Sequence, residues 1–275
     1  MEAYMNDIAN DSFELSRRKA SLYVEKCMME IENDINSLEI LERTSTYKSV
    51  FEDAAQQNAV NAQTEEKKKS LAGRIIDKII GILSKIVDAI KEFFYNIKAS
   101  FGHSLTVEDY MSSNTVKLEF EEDMRQIATF VDQQYAEARP IVSRIAKLTN
   151  ADVLKVEKWC DAVSNFAVKK GKFVLKAAAT VGFCKMLERT LSKHLKLSDE
   201  FKAAMDKMKG KNLDPNKKYG ILSRFANGMM GLSEIALGGL NEIYKTTDMV
   251  TKVSKREGKR ERKRRFKQKI FGKRG

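Results

Sequence analysis

Two prolines, Pro140 and Pro215, are all that this chain of 275 residues contains, where average usage would supply on the order of a dozen. With so few breakers, and with Ala, Leu, Met, Lys and Glu abundant, long helices are favoured over a sheet-rich fold with many turns. Collagen-like and mainly disordered classes fit badly. Cysteine is equally sparse. Cys27, Cys160 and Cys184 are odd in number, far apart and without a CxxC pair, which excludes a disulfide framework and predicts three reduced, buried thiols in a reducing compartment. The N-terminus lacks the basic-then-apolar plan of a secretory signal. Long apolar runs are missing too. The longest uninterrupted apolar-or-small stretch, Ala177 to Cys184, falls far short of the roughly 20 residues a spanning helix needs. The expectation is a protein in the reducing cytoplasm of its producing cell, soluble or lying on a membrane but not crossing one.

The chemistry of familiar enzymes is also absent. His103 and His194, the two histidines, have no partner at metal-ligand spacing. No GxSxG, HExxH or EF-hand pattern occurs, and Lys169-Lys170-Gly171-Lys172 lacks the upstream glycine and strand of a phosphate-binding loop. Gly228, Gly231, Gly238 and Gly239 sit inside an apolar helical pattern, where they serve close helix packing rather than phosphate. The acids of the first helix have no ExxH partners for a di-metal bundle site. No catalytic residue, cofactor, metal or small-molecule substrate is expected, and the chain is read as a non-enzyme.

What is present is charge, unevenly placed. The whole chain carries +12. Residues 1–66 hold six bases against fourteen acids, net −8, and residues 67–251 are net +9. Residues 252–275 hold thirteen bases against two acids, Glu257 and Glu261, net +11. Residues 1–251 together therefore amount to only +1. Such asymmetry points to an interaction tail.

Apolar periodicity divides the rest into helices. The first starts near Asp11-Ser12-Phe13-Glu14 and carries Leu15, Leu22, Cys27, Met29, Ile31, Ile35, Leu38 and Leu41, to about Arg43. Residues 44–70, with Glu65-Glu66-Lys67-Lys68-Lys69, read as a short helix and a mobile linker ending near residue 70. A long helix is predicted from Thr115 to Leu148, with a kink or break around Ala138–Arg139 imposed by Pro140. Thr149-Asn150-Ala151-Asp152 opens the next, which continues past Gly171 and Gly182 to Leu187. Ser198 is expected to cap a short helix ending at Gly210. Pro215 is placed at the first position of the last long helix, which reaches about Lys255. No segment alternates with period two for long enough to predict a strand. The expected fold is all-α, an irregular bundle of about six to eight helices. It comprises an acidic N-terminal arm and linker over 1–70, a helical core over 71–251 and a disordered polybasic tail over 252–275.

The clearest feature is the amphipathic segment 74–101. At 100° per residue its apolar side chains share one arc of about 160°. Ile75, Ile79, Ile82, Ile86, Ile90, Phe93 and Ile97 form one seam; Ile76, Ile80, Leu83, Val87, Ile90 and Phe94 form its neighbour. A face that wide cannot be left in water. It packs in the chain's own bundle, meets another copy or another helical protein, or lies on lipid. The 4-3-4-4-3-4 spacing is close to a heptad without being one. The excess of bases over acids suits anionic lipid, whereas the Ile content and the mixed-sign polar face suit a bundle.

The tail offers Lys255, Arg256, Lys259, Arg260, Arg262, Lys263, Arg264, Arg265, Lys267, Lys269, Lys273 and Arg274 as polyanion-binding residues. Cations at this density neutralise phosphates and release counterions, giving nucleic-acid binding with little sequence preference and steep salt dependence. Phe266, Ile270 and Phe271 could stack on bases, enter lipid or dock on the protein. The alternatives are an anionic membrane surface and a self-docking tail that neutralises the acidic N-terminal region.

An acidic first helix (Asn6-Asp7 through Leu41), a Lys-rich linker, an amphipathic helix of the type Ile-Ile-Asp-Lys-Ile-Ile…Lys-Glu-Phe-Phe and a basic tail together resemble the helical structural and internal head proteins of large tailed bacteriophages. The resemblance lies in layout over the first hundred residues and the tail, and it assigns no residue a role. It implies a virion- or assembly-associated protein that contacts capsid or packaged DNA. The expectation is thus a structural or scaffold protein that packs or oligomerises through helix 74–101 and holds nucleic acid through its tail. The alternative is a peripheral membrane protein whose amphipathic helix inserts while the tail binds anionic headgroups.

Overall fold

The computed structural model describes the backbone of residues 2–51, 54–101, 117–209 and 215–271, with side chains over 15, 18–44, 62–95, 118–209 and 218–246. Among the described residues the chain is all-α, an irregular bundle of six helices with one small two-stranded ribbon. In chain order these are α1 (Glu2–Phe51), α2 (Ala54–Phe101), β1 (Lys117–Glu122), α3 (Met124–Arg144), a 3-10 turn (Ile145–Lys147), α4 (Asn150–Ser164), β2 (Lys170–Lys176), α5 (Ala177–Met208) and α6 (Pro215–Phe271).

One continuous apolar core joins all six helices and both strands. Helix α2 is central to it, packing against α1, α5 and α6. The N-terminal helix docks on this core through Ala20, Val24, Cys27, Ile31 and Leu38. The stretch read as a linker is instead the first part of α2, which runs unbroken through residue 70. Its Glu65 and Lys68 pair one turn apart at 3.2 Å, and its residues are good helix formers with no Gly or Pro before Gly73.

Helix starts follow local chemistry. The Asp123 carboxylate caps α3, accepting from the Arg125 backbone N–H at 3.1 Å and from the Arg125 side chain at 2.9 and 3.0 Å. At α4, Thr149 and Asp152 form a reciprocal capping box, as their spacing predicts. Pro215 is the first residue of α6, also as expected. Pro140 does not break α3, which continues to Arg144 before giving way to the 3-10 turn. Pro140 and Ala136 are both exposed, so the carbonyl deprived of its N–H partner lies on the water side.

Three expected helices differ. The helix predicted from Thr115 starts only at Met124, because residues 117–122 form β1; the helix predicted from Asn150 to Leu187 is split by β2 into α4 and α5. The strands pair antiparallel, with Leu118 opposite Leu175 and Phe120 opposite Phe173, and an irregularity between Phe120 and Glu122. Leu118 and Phe120 are buried, while Glu119 and Glu121 point to water, the period-two alternation of a half-buried strand. Ser198, expected as a cap, lies inside α5. Cys184, Leu187, Leu191, His194, Ser198, Phe201, Met205 and Met208 are all buried there, at alternating steps of three and four, so tertiary packing carries the helix through.

Candidate functional site

The amphipathic face of α2 is filled by the chain itself. Of its twelve residues, Ile75, Ile76, Ile79, Ile82, Leu83, Ile86, Val87, Ile90 and Phe93 are buried, Ile80 and Phe94 are half-buried against the same core, and the Ile97 side chain lies outside the described residues. Its polar edges are tied down as well. Asp34 of α1, itself buried, receives Arg74 at 2.8 Å and Lys78 at 2.7 Å, and Lys78 also reaches Glu30 at 3.4 Å. On the other side Asp77 pairs with Lys209, the residue after α5, at 2.6 Å.

The expected polyanion-binding residues lie in segment 252–275, whose side chains are outside the described residues. The helical backbone of α6 extends through it to Phe271.

A groove of about 1110 Å³ lies between α1, the end of α4, β1 and α6. Six carboxylates line it, Glu25, Glu119, Glu121, Glu122, Glu234 and Glu242, against two ammonium groups, Lys172 and Lys245. Glu242 ties the ribbon to α6, accepting from the backbone N–H groups of Glu121 at 2.8 Å and Glu122 at 3.3 Å. Burial raises its pKa, and the two N–H donors pull the other way. A groove of this composition attracts cations and repels phosphate. Sequence reading missed it, because its acids come from three distant segments; the alternating Glu119 and Glu121 are the local trace of it.

Gly228 and Gly239 of α6 serve close helix packing as expected, and Gly238 does not. A Cβ on Gly228 would lie 2.6 Å from the Trp159 ring, and one on Gly239 would lie 3.0 Å from Ile127. Both are contact points between helices, whereas Gly238 opens on the groove with nothing within 4 Å.

Two buried thiols and the buried imidazole are held in neutral forms. Desolvation pushes the Cys160 and Cys184 thiols up to about 12 and His194 down to about 4. Cys184 Sγ lies 3.7 Å from Glu188 and 3.9 Å from the Tyr244 hydroxyl, which donates to Glu188. A thiol so protonated is a poor nucleophile. All three cysteines are buried and unbridged. Among the described residues no cluster of three His, Cys, Asp or Glu could hold a metal ion, and no helix is long and apolar enough to cross a membrane. Compared with known proteins, the chain matches no family model, no curated protein and no solved structure.

Proposed function

We propose that this chain is a non-enzymatic helical structural or assembly protein whose bundle carries a basic segment, 252–275, that binds nucleic acid without sequence preference. The observation that carries this reading is the charge distribution, with +11 in that segment and only +1 in all that precedes it. Density of cations, not base-reading geometry, is what phosphate neutralisation requires. The acidic groove supports the same division of labour, since it makes one side of the bundle unfavourable for phosphate and leaves the basic segment as the preferred contact. Burial of the α2 face within the core weighs against a helix that inserts in lipid. The layout shared with phage internal head proteins adds virion or assembly association to the proposal. The three buried, unbridged thiols are consistent with a reducing compartment.

The test is binding of the full chain to two unrelated DNA duplexes and to anionic vesicles, each at low and moderate salt. Equal affinity for both duplexes is expected. In a variant carrying Arg262→Ser, Lys263→Ser, Arg264→Ser and Arg265→Ser, the logarithmic salt slope should fall by about 0.9 for each phosphate no longer neutralised. Unchanged duplex binding by that variant would reject the reading. Binding to vesicles alone would transfer it to a membrane surface.

A further inference from the structure

The groove between α1, α4, β1 and α6 combines acid with exposed apolar surface. Its carboxylates outnumber its ammonium groups by four, and they stand around an apolar floor. Phe166, Val168 and Ile235 open on that floor, half-buried and packed on one side against the core. Glu25, Glu119 and Glu121 on the rim are exposed. Glu242 is committed to the ribbon. The two bases, Lys172 and Lys245, are exposed and have long stems that can turn outward to water. Acid alone would attract cations diffusely. Acid around apolar surface suits a chain that carries bases and a few large apolar side chains together.

We propose that this groove receives segment 252–275 of a second copy of the chain. The segment complements it in both respects, with thirteen bases against two acids and with Phe266, Ile270 and Phe271 set among them. Phe266 and Ile270 are four residues apart, the spacing that brings two side chains to one side of a helix, and α6 is helical through both. Nucleic acid and anionic lipid are poor occupants, because the rim repels phosphate.

The occupant comes from another copy because α6 is itself one wall of the groove. It lines the groove from Asn227 to Thr246, and the same helix runs on to Phe271. At 1.5 Å per residue Phe266 stands about 30 Å beyond Thr246 along the axis, and a continuous helix cannot double back on its own flank. Groove and segment are different surfaces, so the contact is head-to-tail. Each copy offers its segment to one neighbour and its groove to another, in a ring or an extending chain.

Sedimentation equilibrium of the full chain without nucleic acid tests this. The wild-type mass should rise above that of one chain as concentration increases, and fall back at about 1 M salt, where the screening length is about 3 Å. A groove variant with Glu25→Lys, Glu119→Lys and Glu121→Lys should stay monomeric, with helical circular dichroism unchanged because all three side chains already lie in water. It keeps segment 252–275, so its duplex binding is read separately from its self-association. A control with Glu32→Lys, Asp199→Lys and Glu200→Lys makes the same charge change at exposed positions outside the groove and should still associate. A segment variant with Arg262→Glu, Lys263→Glu, Arg264→Glu and Arg265→Glu should also stay monomeric. Mixing the groove and segment variants should restore pairs and nothing larger, since one still offers an intact segment and the other an intact groove. A monomeric wild type, self-association of either variant, a monomeric control or a mixture without pairs would each overturn the proposal.

Discussion

His194 Nε2 lies 3.2 Å from the main-chain carbonyl oxygen of Met229, at a buried contact between α5 and α6. The ring therefore donates from Nε2 and is neutral, with burial lowering its pKa from 6.5 to about 4. In the unfolded chain the same imidazole titrates at its ordinary value, so between these two values the unfolded state binds more protons. This contribution is fully present above pH 6.5 and is lost as pH falls from there to about 4. The difference amounts to about 3 kcal/mol. Urea unfolding at pH 7.5, 5.5 and 4.5 should show that decline. A His194→Asn variant, weaker at neutral pH, should show a shallower one. An equally steep decline in the variant would place the titrating group elsewhere.

Burial of the α2 face makes a second outcome specific. Ile82 has no solvent exposure, and Ile82→Lys would put an ammonium into the core without a partner. The expected cost is about 4 kcal/mol or more, enough to unfold much of the population. Ile80→Lys, at a half-buried position whose long stem can reach water, should cost far less. Thermal melts followed by circular dichroism separate the two. A folded Ile82→Lys chain would mean that the face is not packed as described.

The contrast between these helices explains what could be read in advance. In α2 every Ile, Leu, Val and Phe from Ile75 to Phe101 falls in one arc, so this face was legible without knowing its partner. In α1 the residues Leu15, Leu22, Cys27, Met29, Ile31 and Leu38 make a single series with helical spacing. Only tertiary structure divides them into a filled face and an open one. Thr149 with Asp152 and Pro215 were legible because their chemistry is local. The ribbon was not, because the Leu118-Glu119-Phe120-Glu121 alternation is short and its partner lies about fifty residues on. Ser198 looked like a cap because serine favours that role. The three-and-four spacing from Cys184 to Met208 was the stronger signal. The groove assembles Glu25, Glu121 and Glu242 from different elements, which no window on the sequence can anticipate.

Asp34 fastens α1 to α2, and its removal should loosen that docking more than an ordinary surface pair would. Its carboxylate is buried and accepts both Arg74 and Lys78; Asp34→Ala leaves the half-buried Lys78 with the more distant Glu30 alone. Arg74 is more than half exposed and can turn to water, so the expected loss is about 2 kcal/mol, below that of a fully buried pair. Hydrogen exchange should rise first in residues 18–44. A uniform rise across the bundle would instead mean that α1 and the core unfold as one unit.

Two glycines of α6 should answer the same substitution with opposite signs. Alanine is the better helix former by about 1 kcal/mol, and at Gly238 nothing within 4 Å opposes it, so Gly238→Ala should stabilise by about 0.5–1 kcal/mol. At Gly228 the added methyl would meet Trp159 at 2.6 Å. That indole cannot retreat freely: it is buried, donates its N–H to the Gln134 carbonyl at 2.9 Å and packs on Phe225 with centroids 4.8 Å apart. Overpacking of this kind costs about 1–3 kcal/mol and should outweigh the propensity gain, making Gly228→Ala destabilising. Trp159 is the sole tryptophan, so its fluorescence reports directly on the contact. Its emission should shift in Gly228→Ala and stay unchanged in Gly238→Ala. A stabilised Gly228→Ala with native emission would mean that the two helices can part at no cost, contrary to the packing described.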